Sequence, residues 1–444
     1  LDFTGAFLYA SMPVDRERAT LLRLGQFLTR ILVKLDPSYD KYVRQDGTCV
    51  VILEKALYGT IIAAAAWYTK ISGDMKDLSY KVSKYDNCVF YKNVLGKQVI
   101  VVLHVDDMLF SAEGGEEALD IVIQEIKNRY DEVTVHRGKI LSYLGIDFDF
   151  TKTGEVSLSM SDYVDNAVKL YEEKYGIISE SKIPANEDIF KVENSINKLS
   201  EEQARDYVGH IMRLQYLAKH QRFDIVFPVS ILNKRVKGPT NKDWDDLKKI
   251  LQYLKATRNM KLVLKADNLS RVTGYIDASF GVHPDMKGHA GCVILLGNAP
   301  VYVKASAGKL NTKSSTEEEL CGVYEYSNMV IWLRNFLSEL GYGKDVGIIK
   351  QDNMSTMDLI YEGRAKALST KHIDRRYFYV KDLIDRNEVR VVYCRTDMMI
   401  ADIMTKALCG HYFERMRDKL MNFGNIKLEP LPRRIRKKVK FEDE

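Results

Sequence analysis

Apolar and polar positions along the chain change period twice. QVIVVLHVDDMLFSA (Gln98 to Ala112) carries β-branched and aliphatic residues on both sides of an Asp-Asp centre, which predicts two buried strands joined by a tight turn. LSYLGIDFDF (Leu141 to Phe150) reads as a strand running into a turn at Lys152 to Gly154. Between about 181 and 268 the period is helical. In NKDWDDLKKILQYLKATRN, Trp244, Leu247, Ile250, Leu251 and Leu254 share one face, Lys248, Lys249, Lys255 and Arg258 lie elsewhere, and Asn241 is a candidate N-cap. From about 269 come short strand-like runs (VTGYID, GCVILL, PVYVKA), a long helix from about Ser315 to Leu340, a strand VGIIKQ, more helices and a strand EVRVVYC. Three strands, a helix, then strand and helix in alternation predict a mixed α/β domain.

Composition adds bounds. At 444 residues the chain has room for about three domains of ~150 residues each. An apolar fraction of 46% and a charged fraction of 29% suit an ordinary globular protein with large cores. A net charge of +5 neither demands nor excludes a polyanionic partner. Cys49, Cys88, Cys292, Cys321, Cys394 and Cys409 form no C-x-x-C pair and stand at no zinc-ligand spacing, so reduced thiols in an intracellular protein are expected. No signal peptide is visible and no apolar run nears the ~20 residues that span a bilayer, so no membrane partner is expected. The text opens at Leu1, inside an apolar element, which suggests a fragment or a processed product.

Two sets of carboxylates carry candidate chemistry. Asp2 lies in LDFTGAFL, and Asp106 and Asp107 lie in LHVDDMLF. Phosphoryl transfer by two metal ions needs carboxylates converging from different strands, and an aspartate on one strand beside an Asp-Asp hairpin tip can build that arrangement. Asp-Asp in a tight turn is also ordinary turn chemistry; the apolar arms and the Asp2 strand are what distinguish this one. Farther on, Asp277 ends VTGYID, Glu319 lies early in SSTEEELCGVYEY, Asp352 ends GIIKQD and Asp402 sits in MIADIMTKAL. Singly, each suits a helix first turn or a strand end. As a set of four at element ends they fit a second two-metal site that hydrolyses a phosphodiester.

These segments resemble copia-type (Pseudoviridae) LTR retrotransposon Pol polyproteins. LDFTGAFLYA is similar to the family's D-V-x-x-A-F-L, VVLHVDDMLF to its Y-V-D-D hairpin, ALYG followed by AAWY (Ala65 to Tyr68) to its L-Y-G…A-W-Y, and YLGIDF to its F-L-G-I hairpin at the primer terminus. GYIDASFG, TKSSTEEEL, QDN, STKHIDRRYFYVKD and ADIMTKAL resemble the ribonuclease H motifs, and DYVGHIMRLQYLAKHQRFDIVFPVS resembles the segment between, with QRFDI for TRPDI. The match covers roughly residues 1 to 424.

By this resemblance Asp2, Asp106 and Asp107 are the polymerase's catalytic metal ligands, and Asp277, Glu319, Asp352 and Asp402 are the nuclease's, with Glu317 as the fallback for Glu319. Phe7 falls at the family's gate against ribose 2′-hydroxyls and is equally explicable as core. Tyr58 and Gly59 would lie by the incoming nucleotide, and Gly145 in the hairpin at the primer. His104 replaces the hairpin's usual tyrosine. Ile61, Ile62 and Ala65 stand where lysine, glutamine and arginine are usual, which weakens the expected template grip. His372 is read as a structural or substrate-backbone residue in preference to an acid. Lys248, Lys249, Lys255, Arg258, Arg375 and Arg376 are candidates for a basic track under an RNA–DNA hybrid, each also explicable as a solvated face. LPRRIRKKVK reads as a nuclear-import signal, a nucleic-acid arm or a solubilising tail.

The resemblance implies a multidomain α/β protein: a right-hand polymerase palm with truncated fingers (1–180), a helical thumb or connection (181–268), a ribonuclease H-like mixed-sheet domain (269–424) and a basic, disordered tail (425–444). It implies an RNA-directed DNA polymerase and ribonuclease H that use Mg2+, two ions per site, with Mn2+ as a substitute. The partners implied are RNA template, DNA primer, RNA–DNA hybrid, dNTPs and integrase or other polyprotein products. The place implied is a cytoplasmic virus-like particle and the nucleus. The alternative is a truncated or domesticated remnant that binds nucleic acid and keeps at most the nuclease.

Overall fold

The Asp-Asp hairpin forms, at the centre of the first of two compact units. The computed structural model describes residues 1–14, 18–113, 115–193, 197–265, 267–362 and 371–422. Its contacts divide the chain into Leu1–Arg137 and Gly138–Glu444. The expected basic tail lies outside the described residues.

In the first unit the elements are β1 (Asp2–Phe3), β2 (Leu21–Leu24), α1 (Gln26–Leu35), β3 (Cys49–Ile52), α2 (Ala63–Asp77), β4 (Lys81–Val82), β5 (Val89–Val94), β6 (Lys97–His104), β7 (Asp107–Ala112), α3 (Glu116–Lys127) and β8 (Val133–Thr134). Six strands form an antiparallel sheet in the order β4-β5-β6-β7-β1-β8, while β2 and β3 pair separately. Val99, Val101 and Leu103 of β6 are buried in alternation, in a core shared with Trp67, Ile71 and Met75 of α2 and Val122 and Ile126 of α3. The opposite positions are not all covered: Val102 and His104 are exposed. The expectation of strands buried throughout is therefore corrected. An antiparallel sheet needs helices on one face alone, and the aliphatic run does not reveal which face stays open.

The second unit begins with β9 (Ile140–Tyr143), β10 (Ile146–Asp149), β11 (Glu155–Ser159), α4 (Ser161–Tyr175), α5 (Glu201–His220), α6 (Val226–Asn233), α7 (Asn241–Ala256) and β12 (Leu262–Lys265). LSYLGIDF is a hairpin turning at Leu144–Gly145 instead of one strand running to Lys152, because both turn residues take positive φ, 53° and 71°. β12, a strand inside the segment read as helical, completes the antiparallel sheet β12-β11-β10-β9. Four residues are too few to show a period. On α7 the apolar stripe Trp244, Leu247, Ile250, Leu251 and Leu254 is buried as expected. Its N-cap is Thr240, not Asn241: the Thr240 hydroxyl accepts from the Asp243 N–H, and the Asp243 carboxylate accepts from the Thr240 N–H at 2.8 Å.

The unit continues with β13 (Val272–Ser279), β14 (His289–Leu296), β15 (Ala299–Ala307), α8 (Ser315–Glu339), β16 (Gly347–Gln351), α9 (Met354–Glu362), α10 (Lys371–Asp385), β17 (Val389–Tyr393) and α11 (Gly410–Leu420). Their sheet order is β15-β14-β13-β16-β17, antiparallel among the first three strands and parallel from β13 to β17. This is the mixed α/β sheet expected. Ile276, Cys292 and Ile294 pack against Leu320, Val323 and Val330 of α8, while Tyr275, Val293 and Leu295 join the core that holds α4 to α7. Both faces are covered, so β13 is buried along nearly its whole length.

Candidate functional site

Three of the four nuclease-like carboxylates meet where β13 and β16 run parallel. Asp277 lies on β13, which continues two residues beyond it, and Asp352 follows the last residue of β16. Asp402 arrives on a 3-10 turn, Ile400–Met404. One carboxylate oxygen from each lies within 4.8 Å of the other two. Space for that turn comes from Gly291, the cross-strand partner of Asp277: a Cβ there would stand 2.3 Å from the Cβ of Met404.

Glu319, on the first turns of α8, is buried and accepts a 3.1 Å hydrogen bond from the Gln351 amide. The same amide's oxygen accepts from the N–H groups of Asp352 and Asn353 at 2.8 and 2.9 Å, so Gln351 ties the glutamate to the third aspartate. Glu317 instead accepts from the Lys313 N–H at 2.7 Å, and Glu318 accepts from Thr312 at 2.5 Å. Of the three consecutive glutamates, Glu319 is the one that Gln351 ties to the aspartates.

Four further side chains orient the cluster and were not singled out as candidates in the sequence. Gln351 is one. The Thr405 hydroxyl donates to Asp277 Oδ2, Lys406 Nζ donates to Asp402 Oδ1 at 2.6 Å and lies 3.4 Å from Asp277, and the Tyr412 hydroxyl donates to Asp402 Oδ2 at 2.6 Å. Thr405 and Lys406 stood in the ADIMTKAL motif, which was the available signal; Tyr412 had none.

Burial dominates the electrostatics. It pushes the Asp277 carboxyl up to about 6 and, with Asp277 beside it, pushes Glu319 well above the usual carboxylate range. Burial works against the Lys406 ammonium, but Asp277 and Asp402 outweigh it and hold the charge on. One ammonium stands against four carboxyl groups, and the donors are all hard oxygens. That set fits hard divalent cations such as Mg2+ or Mn2+.

The Asp277 shift has a testable consequence. Between pH 3.8 and 6 the native state keeps a proton that the unfolded chain releases, so this group's contribution to stability falls as pH rises through that window. Two pH units correspond to about 3 kcal/mol. In EDTA, D277N is therefore expected to match the wild type near pH 4 and to melt roughly 5 °C higher at pH 7. A difference that stays flat from pH 4 to 7 in calorimetry would refute this account.

The polymerase-like residues are arranged differently. Asp2 is the direct cross-strand partner of Asp107, and Asp106 occupies the β6–β7 turn. Burial, then Asp106 and Asp2, push the Asp107 carboxyl up. Asp106 accepts a 2.9 Å hydrogen bond from Tyr58, whose hydroxyl is pushed up to about 12 by burial and by that carboxylate. The ring of Tyr58 packs 4.2 Å from that of Phe7, so Phe7 is both buried core and a wall beside the aspartates. Among the described residues these three aspartates do not form a trio as close as that of the second unit. Gly59, at φ 90°, and His104 are exposed. Ile61 is 99% exposed at the entry to α2.

The basic residues divide. Lys255 pairs with Glu172 at 2.8 Å and fastens α7 to α4, and Arg258, in the turn after α7, lies 3.7 Å from Asp165 of α4. Lys248 and Lys249 are half-buried on α7. Arg376 donates to Cys321 Sγ at 2.7 Å, and the side chains of His372 and Arg375 lie outside the described residues. Gly145 is exposed at its hairpin turn, where Tyr216 donates to the Leu144 carbonyl at 2.6 Å. No helix among the described residues is long and apolar enough to cross a membrane.

Comparison with known proteins follows the same lines. Residues 24–177 match the family "Reverse transcriptase (RNA-dependent DNA polymerase)". The Pol polyprotein of transposon TNT 1-94 from Nicotiana tabacum is 25% identical over 82% of this chain and 28% of its own length. That of transposon RE1 from Arabidopsis thaliana is 28% identical over 95% of this chain and 27% of its own length. A foamy viral protease-reverse transcriptase, solved in complex with RNA/DNA hybrid, aligns over 97% of this chain and 46% of its own at 14% identity and a TM-score of 0.49. The chain spans about a quarter of the length of the curated relatives it matches. With relatives of one kind along nearly its whole length and the reverse transcriptase family matched within it, the chain is similar to the Pol polyproteins of transposons.

Proposed function

We propose that the chain is a retrotransposon RNA-directed DNA polymerase with ribonuclease H activity, copying element RNA into DNA and cleaving the RNA of the resulting hybrid. The observation that carries the nuclease half is the meeting of Asp277, Asp352 and Asp402 within 4.8 Å beside Glu319. The polymerase half rests on the pairing of Asp2 with Asp107 beside Asp106, and on the family match over residues 24–177, which includes Asp106 and Asp107 and not Asp2. We assign 1–180 to palm and partial fingers, 181–268 to thumb or connection and 269–424 to the ribonuclease H domain.

Asp277, Glu319, Asp352 and Asp402 would hold Mg2+, or Mn2+ in its place, in the nuclease, and Asp2, Asp106 and Asp107 in the polymerase. Bound there, the ions supply Lewis-acid polarisation of phosphate and a more acidic water or hydroxyl nucleophile. The chain's own groups do the orienting: Thr405 and Lys406 fix Asp277, Lys406 and Tyr412 fix Asp402, and Gln351 fixes Glu319 against Asp352. Phe7, Tyr58 and Gly59 would face the dNTP, Gly145 the primer, and Lys248 and Lys249 the hybrid backbone. Integrase and other polyprotein products are the expected protein partners, in a cytoplasmic virus-like particle and then the nucleus.

The test is a paired assay on the purified chain with one end-labelled RNA–DNA hybrid carrying a recessed DNA primer, in Mg2+ and then in EDTA. Extension together with RNA cleavage, both lost in EDTA, is the expected result. Cleavage without extension would confine activity to the second unit. Binding of the hybrid with neither product would make the chain a nucleic-acid-binding remnant.

A further inference from the structure

The hairpin that carries Asp106 and Asp107 turns on a residue ill-suited to its backbone. His104 and Asp107 pair across the strands, so Val105 and Asp106 are the two turn residues. Val105 has φ 56°, in the left-handed region that β-branched residues avoid and that glycine usually fills in two-residue hairpin turns. Its side chain does not explain the choice, being 42% exposed. What fixes the turn is its carbonyl groups. The Val105 carbonyl accepts a 2.5 Å hydrogen bond from the indole N–H of Trp67, and the Asp106 carbonyl accepts from the Phe3 N–H at 3.2 Å.

Trp67 is 1% exposed and sits mid-way along α2, a rigid base for that bond. Its ring meets Phe3 edge-on at 5.3 Å and Tyr130 at 5.8 Å, and Phe3 meets Tyr130 at 4.9 Å. Phe3 adjoins Asp2. One aromatic cluster therefore supports the strand of Asp2 from below and reaches the Asp106 turn through a single donor.

We infer that Trp67 is a positioning residue for the polymerase site: its indole N–H holds Val105 in a strained turn and thereby aims Asp106 and Asp107 at Asp2. This rests on the polymerase reading of those aspartates. A buried indole always wants an acceptor, and the strain at Val105 is what turns that ordinary need into a device. Strain at a functional turn persists only where its surroundings enforce it. Without the bond, the turn relaxes toward negative φ at Val105 and carries the neighbouring carboxylates with it.

The experiment compares wild type, W67F, V105G and W67F/V105G in the full chain. W67F keeps a ring in the cluster and removes the donor. It is expected to lower the turnover of primer extension roughly 10- to 100-fold with little change in dNTP KM, and to leave RNA cleavage unchanged. V105G places glycine where the left-handed backbone is unstrained, so it should extend primers and melt at or above the wild-type temperature. In W67F/V105G, extension should return to within roughly threefold of wild type, because no strain is left for the indole to oppose. Wild-type extension by W67F, or a loss that V105G does not restore, overturns the inference.

If W67F fails to accumulate, soluble and cooperatively melting W67F/V105G supports the inference, and failure of the double variant as well overturns it. If the wild-type chain does not extend primers at all, the polymerase reading fails separately. The clamp is then judged by melting alone, supported where V105G recovers the W67F loss and overturned where it does not.

Discussion

Replacing Asp106 and Asp107 together with asparagine is expected to reduce primer extension by at least about a thousandfold while leaving RNA cleavage within about twofold of wild type. D352N is expected to do the reverse. Asparagine keeps the shape and hydrogen-bonding ability of each side chain, so the Tyr58 contact with Asp106 survives and folding is little disturbed. What is lost is the negative charge that a cation needs. The two effects should separate because the carboxylates belong to different sheets with different cores. Asp106 and Asp107 stand on the six-stranded sheet of the first unit, and Asp352 follows β16 in the five-stranded sheet of the second. Both reactions would be followed on one hybrid substrate, with the melting curve of each variant as the control for folding. Survival of both activities in either variant would remove these residues from the chemistry.

Much of this arrangement could be read in advance, and the exceptions have physical causes. Strands and helices with clear periods were legible: the β6–β7 hairpin, the stripe on α7 and the strand-helix alternation after 269 all formed where the pattern placed them. Short elements were less so: the four residues of β12 carry no period, and the turn at Leu144–Gly145 was signalled by the resemblance to a hairpin and not by the aliphatic pattern. The candidate carboxylates were legible because charge among apolar neighbours is costly and so conspicuous. Their supports were not. Thr405, Tyr412 and Gln351 are ordinary polar residues whose roles exist only after strands far apart in sequence have paired. Basic residues misled for the complementary reason: on a helix, a lysine that faces a phosphate and one that faces a neighbouring glutamate look alike, and Lys255 proved to face Glu172.

The largest stability effect is expected at a residue outside both sets of candidate metal ligands, Arg222. QRFDI was conspicuous only as a departure from a familiar TRPDI, yet Arg222 is fully buried and Asp224 is 1% exposed. The guanidinium donates to both oxygens of Asp224, at 3.0 and 2.8 Å, and to the carbonyl and hydroxyl of Thr257, at 3.1 and 2.6 Å. Tyr253 adds a 2.5 Å hydrogen bond to the same carboxylate. Burial alone would neutralise both ions, but their mutual attraction outweighs it: Asp224 is held below the usual carboxylate range and Arg222 above its own. The network joins the end of α5 to the end of α7, and through the ring contact of Tyr253 with Phe413 it reaches α11. R222M keeps the volume and removes every donor. It would leave the buried Asp224 carboxylate without its counter-ion and the half-buried Thr257 carbonyl without the guanidinium, a change that costs about 3–5 kcal/mol. For a unit of this size the melting transition should fall by roughly 6–15 °C. The double variant R222M/D224L removes the orphaned charge as well and should recover at least about half of that loss, since a buried ion pair and a well-packed apolar pair differ little in net stability. Calorimetry on the three chains decides the matter. A shift below about 2 °C for R222M would mean that water or a neighbouring side chain takes over the guanidinium's bonds. A double variant no more stable than R222M would mean instead that the loss came from the bonds to Thr257 and not from the stranded Asp224.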